Sequence, residues 1–460
     1  MFVGNKNENI RAGDLVLHCV DVKIFQKITH GIELSGHGII KTNNVGTLYL
    51  EFICTKQNNA PQVFFSERFP NDALDKTQTL YLEATTIDGE LFEASSFFMD
   101  IDHSLRNLPT VCYIFLPSLS CTEEPMQGMY DQNCDYLHFE FLERFDLPFN
   151  KSNTTESSLG SKTFSWNQAD IQMDEYLVTI IHHKDYTTVD VKGVFDINAV
   201  RDCLKFYIGF SSGSLPQLGY MTERKKGAHT HTQTLSSVSA RRKQQQSSSP
   251  MISNLAIKGS MSHDYHYDLF RSITKIYAEK HKRFESIVAQ WERVWFATQS
   301  NDEILTLTLS VAIEGVLNDV YIPYIKATKD TTEEDAEASF IKKELKKTDL
   351  TDQQRSRILG SVAYWKNVTS ASAFTYLIDK GLLDKHDKKA WTDLRNNCAH
   401  PRLVEKTVED EKAEIELTVS CLNIFYRLIL NTFEYSGYVG HLKYKQQPKV
   451  YSFEHRAILD

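Results

Sequence analysis

Between about residues 221 and 252 the chain turns polar and basic. Thr222-Glu223-Arg224-Lys225-Lys226-Gly227-Ala228-His229-Thr230-His231 is followed by a Ser/Gln/Arg stretch that reaches Gln244-Gln245-Gln246-Ser247-Ser248-Ser249-Pro250. A segment with so little to bury cannot offset the entropy lost on ordering, so its composition predicts a flexible basic linker over 221–252. A chain of 460 residues exceeds what one hydrophobic core usually serves. The expected layout is therefore α+β and multidomain, with a β-rich domain over 1–220 and an all-α domain over 253–460.

The two sides differ in hydrophobic period. Upstream, short apolar or alternating runs are separated by turn residues: Val45 to Thr55, Thr79 to Ala84, Val111 to Leu116, Tyr136 to Leu142, Tyr176 to His182 and Cys203 to Phe210. This spacing predicts strands in an antiparallel sandwich or barrel. Downstream, Asn301-Asp302-Glu303 supplies a capping side chain and an acidic first turn ahead of the apolar run from Ile304 to Leu317, which reads as a central helix. Further helices are expected from about Tyr265 to Ala297, Glu333 to Lys347, Asp352 to Lys366, Ser372 to Lys380, Asp387 to Ala399 and Thr407 to Phe433.

The net charge of -9 is unevenly spread: residues 1–220 hold 16 Lys and Arg against 29 Asp and Glu, 221–250 hold 6 against 1, and 251–460 hold 29 against 30. An acidic first half repels a phosphate backbone, so any nucleic acid is expected to bind after residue 220. The opening residues lack a basic region followed by an apolar core, and no stretch is expected to approach the roughly 20 apolar residues of a membrane span. A cytoplasmic protein without a membrane partner is the expectation. Eight scattered cysteines without a CxxC pair predict reduced thiols and no zinc site.

The candidate chemistry lies in Arg395-Asn396-Asn397-Cys398-Ala399-His400. An Arg followed five residues later by His is weak by itself, since 17 Arg and 16 His make about one such pair by chance, and Arg224/His229 is a second copy. Context raises the first. Trp391 and Leu394, three apart, can anchor one helix face in the core, so Arg395 emerges at the edge of a packed element. Asn396 and His400 share a face if the helix continues, whereas Pro401 clashes with the carbonyl at Asn397 and biases His400 away from helical dihedrals. The His is expected at a helix end or kink.

Leu394-Arg395-Asn396-Asn397-Cys398-Ala399-His400 resembles the RNxxAH form of the Rx4-6H motif of HEPN domains, and Ala312-Ile313-Glu314-Gly315-Val316-Leu317 resembles the acidic-centred helix often found upstream of it. With a long β-rich segment ahead, the chain is similar to the ApeA family of bacterial anti-phage proteins. The resemblance implies a four-to-five-helix bundle that forms a homodimer, bringing two motifs into one cleft to cut RNA without metal or cofactor. It assigns proton transfer to His400, the phosphate to Arg395, and supporting roles to Asn396 and Glu314. It also makes tRNA a candidate substrate and a phage protein a candidate trigger at the first domain.

The chemistry needs these residue types for its own reasons. Cleavage through the RNA 2′-hydroxyl requires a proton acceptor near neutral pH, a donor for the leaving 5′-oxygen and positive charge at the phosphorus. His titrates near 6.5, and Arg offers a permanent charge in a fork suited to phosphate. A carboxylate at Glu314, among Val311, Ile313, Val316 and Leu317, calls for a partner such as Arg395. Lys385, Lys388 and Lys389 lie just before the motif and are the candidates for positioning RNA; Lys342-Lys343 and Lys346-Lys347 read as a solvated helix face. His182-His183 with Asp185 lacks metal-ligand spacing, and His263 and His266 are expected to face solvent. The competing expectation is a catalytically silent HEPN dimerisation or nucleotide-binding module, with the first domain as the working part.

Overall fold

The computed structural model describes the chain outside residues 1–7, 10–11, 45, 62–65, 73, 102–104, 106, 125–130, 132, 146, 157–161, 238–262, 329–331, 365–366, 400–406, 444–445 and 460. The chain divides into two compact units: residues 1–201 with 216–246, and residues 202–215 with 247–460.

The first unit is antiparallel β-structure. Its strands are β1 (Val16–Gln26), β2 (Glu33–Thr42), β3 (Leu48–Asn58), β4 (Glu67–Phe69), β5 (Leu80–Thr86), β6 (Leu91–Phe97), β7 (Met99–Ile101), β8 (Thr110–Phe115) and β9 (Ser118–Glu123), then β10 (Asp135–Phe141), β11 (Lys151–Glu156), β12 (Lys162–Gln172), β13 (Tyr176–His182), β14 (Thr187–Gly193), β15 (Leu218–Arg224) and β16 (His231–Ser236). Fourteen of them form one sheet in the order β11-β12-β13-β14-β10-β15-β16-β9-β6-β5-β1-β2-β3-β8. Alternation sets the faces: along β3, Leu48, Leu50, Phe52 and Cys54 are buried while Tyr49, Glu51 and Ile53 point the other way. Gly36 on β2 allows β2 and β3 to approach closely, because a Cβ there would lie 1.9 Å from the Ile53 carbonyl oxygen.

Two expectations fail here. The linker expected from residue 221 begins with ordered structure: β15 and β16 are interior strands, paired to β10 and β9. Polar side chains pair across and along the strands, with Ser120–Thr234 and Thr122–Thr232 hydroxyl pairs at 3.0 and 3.2 Å and a Gln233–His231 contact at 2.7 Å. Composition reads such residues as loop, whereas cross-strand hydrogen bonds make them sheet. Residues 238–252 of the expected linker lie outside the described residues. The strand expected at Cys203 to Phe210 is instead part of helix α1 (Ile197–Ser212). Val200, Cys203, Leu204, Tyr207 and Ile208 are buried at helical spacing, a period that a short apolar run conceals.

From Asp202 on, α1 belongs to the second unit. Its Phe206 ring packs edge-on against Phe284 and Trp291, and the Tyr207 hydroxyl lies 2.7 Å from His266 Nδ1. His266, expected to face solvent, is buried for this reason; the side chain of His263 lies outside the described residues.

The rest of the second unit comprises α2 (His263–Glu279), α3 (His281–Thr298), α4 (Asp302–Val316), a π turn (Leu317–Tyr321), α5 (Ile322–Thr328), α6 (Thr332–Leu345), α7 (Asp352–Tyr364), α8 (Ser370–Asp379), α9 (Lys385–Ala399) and α10 (Val408–Thr432). The single helix expected from Tyr265 to Ala297 is broken at Lys280, whose backbone (φ -141°, ψ 52°) is not helical. The run Asp302–Thr328, 27 residues, is by length and composition long and apolar enough to cross a membrane, against the expectation that no stretch comes close. It is the central helix of the bundle, burying Leu309, Ala312, Ile313 and Val316 and packing against α3, α9 and α10. Pro323, which has no amide proton for Asp319, follows its π turn.

The second unit is not purely helical. β17 (Gly437–Lys443) and β18 (Gln446–Phe453) form a hairpin that packs on α10. Buried Asn423 fixes it by acting as a strand partner: its Nδ2 donates to the Leu442 carbonyl at 3.1 Å, and its Oδ1 accepts from Leu442 N at 2.9 Å.

Candidate functional site

The site is assembled from the ends of three helices. Asn301 caps α4 as expected, its Oδ1 accepting from Ile304 N at 2.8 Å, and sets the helix register. That register buries Ile313 and leaves Glu314 at the boundary, 31% exposed. Val311, expected on the buried face, is exposed. At the start of α8, Thr369 and Ser372 form a reciprocal capping box. The capped turn presents Ser370, whose Oγ donates to Glu314 Oε1 at 3.2 Å.

On α9, the Asp384 and Asp387 side chains accept from each other's backbone N–H at the first turn. Trp391 and Leu394 are both buried, and Trp391 stacks on Phe374 of α8 with centroids 4.7 Å apart. This anchoring brings Arg395 to the bundle edge. Its Nε lies 3.7 Å from Glu314 Oε2 and its guanidinium carbon sits 5.6 Å from the Trp391 ring centre. The carboxylate is thus held from two sides, by a hydroxyl on one oxygen and a guanidinium on the other. Arg395 remains 53% exposed, and among the described residues no other carboxylate pairs with it. Among the described residues its outer N–H donors have no hydrogen-bond partner, which suits them to meet an anion from solution.

Asn396 is exposed beside Arg395. Lys388 is seven residues before Arg395 and Lys389 seven before Asn396, so each lies on the same helix face as its counterpart, about 10 Å away. Lys388 Nζ donates to Thr375 Oγ1 at 2.7 Å, while Lys385 and Lys389 are exposed. His400 and Pro401 lie outside the described residues.

The other candidates lie in the first unit. Arg224 is buried, its guanidinium donating to the carbonyls of Ala228 and Asp131, while His229 is exposed. His182 is buried, and burial first, then the charges of Arg144 and His183, push its pKa down to about 4. Among the described residues no group of three or more His, Cys, Asp or Glu could hold a metal ion. Ser370 is the member that sequence reasoning missed; its only signal is the Thr369-Ser370-Ala371-Ser372 capping pattern.

No protein-family model, curated protein or solved structure matches the chain.

Proposed function

We propose that the second unit is a metal-independent endoribonuclease of the HEPN kind, acting as a toxic effector in bacterial anti-phage defence. The observation that carries this reading is the Ser370–Glu314–Arg395 arrangement, a permanent cation at a bundle edge, backed by a carboxylate and 53% exposed among the described residues. A guanidinium so held is pre-oriented for a phosphate and for the charge that develops on a pentacoordinate phosphorus. His400, five residues on, supplies the titrating group; in a homodimer one His acts as base and the other as acid. Asn396 supports the phosphate, and Lys385, Lys388 and Lys389 position the strand.

The substrate is cellular RNA, with tRNA as the leading class, and the setting is the cytoplasm. The first unit restrains or triggers the second by recognising a phage protein. Support for recognition comes from exposed apolar residues on β1 and β8, where Val20, Val111, Tyr113 and Phe115 are each more than half exposed. The acidic balance of residues 1–220 favours a basic partner.

The test is growth after induced expression. The native chain should arrest growth, and Arg395→Ala or His400→Ala should relieve the arrest at equal protein level. Equal toxicity in all three would point to a catalytically silent module.

A further inference from the structure

The second unit holds a concave site that the candidate active site does not use. A cleft of about 480 Å³ lies between α10, the loop joining α8 and α9, and the β17–β18 hairpin. Its lining includes Arg427, His441, Lys443, Lys449, Tyr451 and Arg456. The hairpin register sets His441 directly opposite Lys449, and Tyr451 follows two residues later on the same face. From the helix side, Arg427 is fixed by an ion pair with Asp387 of α9. Arg456 lies 3.6 Å from Glu454. Among the described residues neither Lys443 nor Lys449 has an ion-pair partner.

Of the four cations on this hollow, Arg427 and Arg456 are paired with Asp387 and Glu454, which leaves the positive excess on Lys443 and Lys449. Gathering like charges in a partly enclosed space is unfavourable unless an anion completes it. The local potential is felt by His441, whose pKa is lowered first by burial and then by the nearby Arg427 and Lys443. Tyr451 adds an aromatic surface of the kind on which bases stack. The cleft also has a fixed relation to the candidate active site. Asp387 and Arg395 are eight residues apart on α9, which is about 12 Å along the axis and within a quarter turn around it. At a stacked rise of about 3.4 Å that spans three to four nucleotides.

We propose that this cleft binds the phosphate backbone of a single RNA strand whose scissile phosphate lies at Arg395. The strand assignment rests on the ribonuclease reading; the anionic character of the ligand rests on the cleft alone. The hairpin, unforeseen in an otherwise helical unit, then acts as the positioning wall of the substrate path.

The test uses the full chain carrying His400→Ala, so that binding is read without cleavage. The probe is a fluorescent single-stranded oligoribonucleotide, followed by anisotropy between about 50 and 200 mM salt. Neutralising two cleft cations, Lys443→Gln with Lys449→Gln, should weaken binding about tenfold and flatten the log–log salt slope by about 1.4. Lys326→Gln, on α5 and outside the cleft lining, should leave both unchanged, and an unaltered melting curve excludes misfolding. Binding that ignores the double substitution overturns the proposal. So does displacement by free AMP at the same concentration as by unlabelled oligonucleotide, which would make the cleft a mononucleotide site. If the native chain fails to cleave RNA while the cleft-dependent binding holds, the ribonuclease reading falls and with it the scissile phosphate at Arg395, and the cleft stands as a polyanion site alone.

Discussion

Glu314 on α4 and Arg395 on α9 face each other at 3.7 Å, and the far oxygen of the same carboxylate accepts a hydroxyl bond from Ser370 on α8. Residues 81 positions apart in sequence are thus joined at the rim of the bundle. The pair is half-exposed, so it adds little to stability; exposed ion pairs contribute about 0–1 kcal/mol. What it does is orient the guanidinium.

Glu314→Gln tests that role. The amide keeps the size and can still accept from Ser370, but it loses the charge that holds Arg395. RNA cleavage should fall about tenfold or more, while the thermal midpoint moves by less than about 3 °C. A large loss of stability with cleavage in proportion to folded protein would make Glu314 a packing residue instead.

The boundary between the units predicts a failed truncation. Phe206, Tyr207 and Phe210 precede the sequence-based boundary by some distance, yet they pack with Phe284, Trp291, Phe270 and Tyr426. A fragment of residues 253–460 lacks these rings and should melt without a cooperative transition and bind a hydrophobic dye, because removing even one buried Phe costs about 3–5 kcal/mol. Cooperative unfolding of that fragment, at the midpoint of the intact second unit, would contradict the assignment of α1 to this core.

His138 gives the first unit a pH signature. Burial alone favours its neutral form, but the hydrogen bond to Asp190 and the nearby Glu140 carboxylate outweigh it and push the pKa up to about 9. Its Nδ1 lies 3.1 Å from Asp190, and Nε2 lies 3.6 Å from Glu140. A folded pKa above the unfolded value of 6.5 stabilises most below pH 6.5, and the benefit is lost as pH rises through about 9. The ceiling is about 3 kcal/mol. Denaturant midpoints measured from pH 6 to 10 should fall for the native chain and stay flatter for His138→Gln; parallel curves would remove His138 as the cause.

How much of this was legible in the sequence follows from what local patterns encode. The Asn301 cap, the central helix, the Trp391/Leu394 anchor and the need of Glu314 for a partner such as Arg395 all come from helical spacing and the cost of burying charge. What escaped depends on partners distant in sequence. Thr222, His231 and Gln233 read as linker until β9 and β10 are there to pair with them. The run from Cys203 to Phe210 reads as a strand until the aromatic rings of α3 show which period is buried. The β17–β18 hairpin has few branched residues, and its docking depends on Asn423, a single polar side chain inside an apolar helix face. Ser370 needed the capped start of α8 to be placed against α4.

The most direct test of the central claim is end-mapping of RNA incubated with the purified chain in EDTA. The account predicts fragments with 2′,3′-cyclic phosphate and 5′-hydroxyl ends, formed without added metal and absent with Arg395→Ala or His400→Ala. Cleavage that requires a divalent ion, or that persists undiminished in His400→Ala, would contradict it.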